Sequence, residues 1–160
     1  EILYSEYKNL MYYTANRILR NSSDAEDVVH QAFLKVIEIL DTISSPRCHK
    51  TRALLVTITE HKAIDLYREK QRRNVLPLAE EYIGAAPAAE IERLAARDTL
   101  AAAIAALPPR YRSVLLLRYD CGYSNAEIAN ILDTTEPNVR KLIQRAKEKL
   151  SAALSGMEEP

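Results

Sequence analysis

Ser124-Asn-Ala-Glu127-Ile-Ala-Asn-Ile-Leu132-Asp-Thr-Thr135-Glu-Pro-Asn-Val139-Arg-Lys-Leu-Ile143-Gln-Arg-Ala-Lys-Glu-Lys-Leu150 holds two helix starts separated by one stop. Ser124 and Glu127 have the spacing of a capping box, in which hydroxyl and carboxylate each satisfy an orphan amide of the first turn. The apolar pattern they open ends at Leu132, and Asp133-Thr134 interrupt it. Thr135 is suited to cap a second helix, with Pro137 in its first turn. Two helices joined by so short a turn are a helix-turn-helix. Small Ala129 lets the second helix approach, and Ile128 and Leu132 are expected to face Val139, Leu142, Ile143 and Ala146.

Helical periodicity puts Asn138, Arg140, Lys141, Gln144 and Arg145 opposite that apolar set. From Glu136 to Lys149 there are five bases and two acids, a net of +3. Such a helix suits a major groove, with its N-terminal residues near base edges and its cations on phosphates. The plainer alternative is a solvated helix of a bundle, which the paired caps and the short turn disfavour.

Working outward, the same logic predicts helices along the whole chain. Residues 2–20 have helical apolar spacing, and Asn21-Ser22 break it. Ser23 and Glu26 form another capping box, opening a helix over about 24–40 with Val28, Val29, Ala32, Phe33, Val36, Ile37 and Leu40 as its apolar stripe. Residues 41–50 read as loop, and a third helix is expected over Thr51–Arg73. Asn74, Pro77, Gly84 and Pro87 mark a domain boundary, so 74–89 is expected to be a flexible linker. An alanine-rich helix follows over Ala89–Leu107. Pro108-Pro109 restart a helix through Tyr119, and Gly122 closes it. The predicted fold is all-α: two small helical domains, 1–73 and 90–155, the second containing the helix-turn-helix.

Composition agrees. Of 160 residues, only three are glycine, and alanine, leucine, glutamate, lysine and arginine abound, which favours helix. Acids and bases balance at 22 each, so partners must be sought in local charge. Asp24–Asp41 holds five acids and one lysine, whereas Arg47–Arg73 holds eight bases and three acids. These blocks either pair within the fold or face two different partners, one basic and one a nucleic acid.

Several functions are disfavoured. Cys48 and Cys121 form no CxxC pair and read as free thiols of a reducing compartment. His30, His49 and His61 lack ligand spacing, and no phosphate-binding glycine loop or nucleophile motif occurs. No metal, no cofactor and no enzymatic activity are expected. No apolar run reaches membrane-span length. The chain opens at Glu1 in helix-like sequence without a leader pattern, which suggests that a few native residues are missing and that the protein is cytoplasmic.

Three motifs then carry a family resemblance. Asp24-Ala-Glu-Asp27-Val-Val-His-Gln31-Ala-Phe33 resembles region 2.2 of bacterial RNA polymerase sigma factors. Lys62-Ala-Ile-Asp65-Leu-Tyr-Arg68 resembles the end of their region 2. Leu107–Arg118 followed by Tyr123–Ala129 resembles region 4. Order, spacing and the short linker are similar to the extracytoplasmic-function (ECF) type. The resemblance implies docking on the clamp helices of the largest subunit of core RNA polymerase through Asp24, Glu26, Asp27, Gln31 and Leu34. It implies reading and melting of the promoter −10 element by loop 42–50 with Arg52, His61, Lys62, Asp65 and Arg68. It implies reading of the −35 element by Thr135, Glu136, Asn138, Arg140, Lys141, Gln144 and Arg145. It also implies restraint by an anti-sigma factor. Departures are clear: Thr51 and Leu54 stand where relatives often carry an aromatic pair, His61 where asparagine is common, and Glu60 where a base is common. The rival expectation is a stand-alone helix-turn-helix regulator with a helical interaction domain. Such a regulator binds its operator unaided, usually as a symmetric dimer.

Overall fold

The computed structural model describes residues 1–74 and 99–158, and every regular element among them is helical. The chain divides into two compact units, Glu1–Leu78 and Ala79–Pro160. The expected linker at 74–89, apart from Asn74, and the expected helix upstream of Thr99 lie outside the described residues.

The first unit is a three-helix bundle of α1 (Ile2–Leu19), α2 (Ser22–Glu38) and α3 (His49–Asn74), each packed on the other two. Tyr7, Met11 and Ala15 of α1 meet Val28, Ala32 and Val36 of α2 and Leu54, Leu55 and Ile58 of α3 in a buried core. Small residues set the approach of the helices: Ala15, Ala25 and Ala63 cluster with Val28, and Tyr12, Ile18, Leu19 and Leu66 close the edges.

The joint between α1 and α2 differs from expectation. Arg20 takes the left-handed conformation at φ 51° and sends its amide to the Asn16 carbonyl at 2.7 Å, ending α1. The next residue, Asn21, is extended and already caps α2, its side chain accepting the Asp24 amide at 3.1 Å. The Ser23–Glu26 capping box is therefore incorrect. Asparagine caps as well as serine, and once Asn21 starts the helix, Ser23 lies within its first turn. Asp24 gains there from the positive end of the helix dipole.

The apolar stripe of α2 also ends earlier than expected. Ile37 points outward, because it lies about 100° round the axis from buried Val36. The helix then tightens into a 3₁₀ turn, Leu40–Thr42, whose phase turns Ile39 inward and Leu40 outward. α3 begins at His49, two residues before the expected start.

The second unit comprises α4 (Thr99–Ala105), α5 (Pro109–Leu115), α6 (Asn125–Ile131) and α7 (Glu136–Glu158), with α4, α5 and α6 all resting on α7. Pro108 caps α5 and Pro109 fills its first position, as the paired prolines suggested. Tyr111 is buried, with the Arg110 guanidinium 4.7 Å and the Lys149 ammonium 5.5 Å from its ring centre, and the Lys149 contact ties α5 to the far half of α7.

α5 does not continue uniformly to Tyr119. From Leu116 to Asp120 the chain widens into a π-turn, closed by the Cys121 amide on the Leu116 carbonyl at 2.9 Å. Gly122 then turns left-handed at φ +78°, the conformation for which a glycine was expected. The Tyr123 amide returns to the Leu117 carbonyl, and the chain enters α6.

Candidate nucleic-acid interface

The helix-turn-helix forms as its residues dictate. Ser124 and Glu127 make both halves of the capping box: the Glu127 amide donates to Ser124 Oγ at 3.2 Å, and the Ser124 amide donates to Glu127 Oε2 at 2.7 Å. α6 ends at Ile131, and the Thr134 amide folds back onto the Ala129 carbonyl. Asp133 supplies the left-handed residue of the turn at φ 52°, a conformation aspartate tolerates better than most residues. Thr135 Oγ1 accepts the Asn138 amide at 3.4 Å, and Asn138 Nδ2 donates to Thr134 Oγ1 at 3.3 Å.

Val139, Ile143 and Ala146 of α7 are buried against Ile128, Ala129 and Val114. Glu136, Asn138, Arg140, Lys141, Gln144 and Arg145 are all exposed, so the support holds one polar, cationic face outward. Three of these side chains donate to neighbours: Asn138 to Thr134 as above, Arg140 to Glu136 at 3.2 Å, and Gln144 to Glu148 at 3.4 Å. Exposed i,i+4 contacts contribute about 0–1 kcal/mol, so a phosphate or base edge can displace them. Thr135 sits at the head of this face, but its hydroxyl is engaged in the cap.

The structure adds residues that periodicity did not single out. An open concavity of about 340 Å³ is lined by Arg118 and Tyr119 from the π-turn, Asn125 from α6, and Arg140, Gln144 and Lys147 from α7. The Lys147 ammonium lies 5.2 Å from the centre of the exposed Tyr119 ring. Arg118 donates to the Tyr123 carbonyl at 3.1 Å, which holds its guanidinium beside the turn. Three cations around one concavity suit an anionic backbone. Lys147 was detectable as one turn beyond Gln144 on the same face. Arg118 and Tyr119 were not, because the π-turn that aims them has no sequence signature.

In the first unit the residues expected to contact polymerase separate into two groups. Glu26, Asp27, Gln31 and Leu34 are exposed on α2, the last three sharing one face at helical spacing. Asp24 is turned inward and pairs with Lys70 of α3. Leu34 and Ile37 of α2 and Leu40 of the following 3₁₀ turn are 63%, 66% and 49% exposed, an apolar ridge that continues past the end of the helix.

The residues expected at the −10 element are also divided. Lys62, Asp65 and Arg68 lie on successive turns of α3, with Asp65 exposed and the other two half-buried. Arg52 is exposed about 15 Å further back along the axis than Lys62. His61 faces the fold. Its Nε2 is enclosed without a hydrogen-bond partner, and burial, aided by Arg68, pushes its pKa down to about 4. Glu60 is buried too, 3.7 Å from the Arg17 guanidinium of α1. Thr51 and Leu54, at the places of the family's aromatic pair, are both buried.

Comparison with known proteins completes the picture. Residues 3–73 match the family described as Sigma-70 region 2, and residues 97–150 match Sigma-70, region 4. The chain is 28% identical to the ECF RNA polymerase sigma factor SigW of Bacillus subtilis, over 92% of this chain and 84% of that one. It is 29% identical to the ECF RNA polymerase sigma factor SigL of Mycobacterium tuberculosis, over 95% and 86%. The chain belongs to the ECF sigma factors. As a sigma factor it directs promoter-specific transcription by RNA polymerase. Among solved structures, the sigma factor RpoE of Bartonella quintana, in complex with the anti-sigma factor NepR, aligns over 96% of this chain and 92% of that one. The TM-score is 0.41 at 16% identity, too loose a likeness to carry an argument. No described helix of the sigma factor is long and apolar enough to cross a membrane.

Proposed function

We propose that the two units divide promoter recognition. Residues 90–155 read the −35 element with the outer face of α7. Residues 1–73 dock on the clamp helices of core polymerase and open the −10 element, and 74–89 join them. The observation that carries the first part is the exposed row Asn138, Arg140, Lys141, Gln144 and Arg145 above a buried Val139–Ile143–Ala146 seam. Base edges select and phosphate contacts position. Arg118 and Lys147, at the flank of that row, suit the phosphates.

For polymerase docking, Asp27, Gln31 and Leu34 form a continuous outward face, and the exposed Ile37 and Leu40 extend it with apolar area of the kind protein partners bury. Asp24 contributes indirectly, by fixing α2 on α3. An anti-sigma factor that restrained the protein would compete for these same surfaces. Opening would proceed by capture of unstacked bases of one strand, beside loop 42–50 and the Lys62–Arg68 turns. The protein works in the cytoplasm and has no reaction of its own: it lends sequence selection to the polymerase.

Run-off transcription with core polymerase on genomic fragments tests the assignment, paired with gel shifts on the selected promoters. The expected result is a shift that requires core polymerase. A tight, polymerase-independent shift by the chain alone would establish the stand-alone regulator instead.

A further inference from the structure

Residues 43–48, between the Leu40–Thr42 turn and α3, face solvent along most of their length, yet buried groups of α1 and α3 hold their backbone. The Tyr7 phenol, buried on α1, donates to the Pro46 carbonyl at 2.8 Å. The Thr51 hydroxyl, buried in the first turn of α3, donates to the Ser45 carbonyl at 2.5 Å. Two consecutive peptide oxygens are thus pinned by buried side chains of two different helices. At the rim, Arg47 adds an ion pair to Glu6 of α1 at 3.1 Å.

The pinning has a directional result. With the Ser45 and Pro46 oxygens drawn inward, the side chains of Ser44, Arg47, His49 and Lys50 are left exposed. There is no acid between Thr42 and Arg52, so this outward set carries only hydroxyl, imidazole and cationic groups. Ordering a free backbone costs conformational entropy at every residue. A loop already ordered by its own helices does not incur that cost when a nucleotide arrives.

We propose that Tyr7, with Thr51, is a positioning residue for promoter opening. The two hydroxyls hold the 43–48 backbone in the one shape that receives an unstacked base, without touching the base themselves. This rests on the assignment of loop 42–50 to the −10 element.

The test uses holoenzyme reconstituted with the full chain carrying Tyr7→Phe or, separately, Thr51→Val; both keep the packing shape and remove only the hydroxyl. The template is a promoter already opened across the −10 element, with either the preferred or a substituted base at each unpaired position. Each variant is expected to lose about two- to tenfold of the preference for the correct base, the worth of one hydrogen bond. Its polymerase-dependent binding to the double-stranded −35 region is expected to stay at the wild-type level. A merely structural role would lower output equally on all templates and leave the preference intact; that outcome, or wild-type preference in both variants, overturns the proposal. Wild-type holoenzyme with no base preference on the opened template would overturn the −10 assignment itself.

Discussion

His61 shows how one residue can stand at a functional address and serve the fold. By resemblance it belongs with the −10 readers, but its Nε2 is enclosed and its pKa lies near 4 rather than the ordinary 6.5. The folded state therefore holds the neutral imidazole, whereas the unfolded chain takes up a proton near 6.5. Stability from this group is complete above that value and falls as pH drops from 6.5 towards 4, by about 1.4 kcal/mol per unit and about 3 kcal/mol in all. Urea melts of wild type and His61→Asn at pH 7 and pH 5 should show the larger loss in wild type; equal pH slopes would count against a buried neutral imidazole. Arg140 is the opposite case, exposed and resting only on Glu136. Arg140→Ala should leave the melting temperature within about 4 °C and weaken promoter use by about 1–3 kcal/mol if a base edge is read. Competitive transcription on promoters altered at single −35 positions checks this, and unchanged discrimination at every position would remove Arg140 from the readout.

At the scale of elements, what was legible in the sequence was whatever is specified locally. The Ser124–Glu127 box, the Thr135 cap and the Gly122 turn formed because each is set by residues no more than six apart. The α1–α2 joint was misassigned because two valid cap sequences lie two residues apart, and composition does not choose between Asn21 and Ser23. The π-turn at Leu116–Asp120 was invisible because its residues also fit an ordinary helix, and its packing on α6 is set by the tertiary fold. The Tyr7–Pro46 contact joins residues 39 apart in the chain, beyond the reach of any periodicity. The turn of the helix-turn-helix makes its own prediction. Asp133 holds a left-handed backbone without being glycine, and a β-branched residue there meets the full steric cost. Asp133→Val should destabilise the protein by about 1–2 kcal/mol, and circular-dichroism melts will measure it. A variant as stable as wild type would mean that the turn can relax to another geometry.

At the scale of the whole molecule, the two units carry chemistry of opposite character. α2 of the first shows acids and an apolar ridge, and α7 of the second shows cations. Loss of one surface should therefore leave the other's partner bound. Asp27→Arg should weaken competition for core polymerase by about tenfold, and Arg140→Ala should leave that competition unchanged while impairing promoter choice. A mutant that fails both assays equally would show that the two surfaces do not act separately.

The joint at Arg20-Asn21 contains no spare residue, since one closes a helix and the next opens another. Length changes are consequently forbidden there. A single inserted amino acid would be absorbed only by rotating α2 about its axis by about 100°, burying the ridge around Leu34 and exposing Val28 and Ala32 to water. Natural variants of this sigma factor should vary in length beyond this hairpin, whose geometry acts as a fixed ruler for the surface it displays.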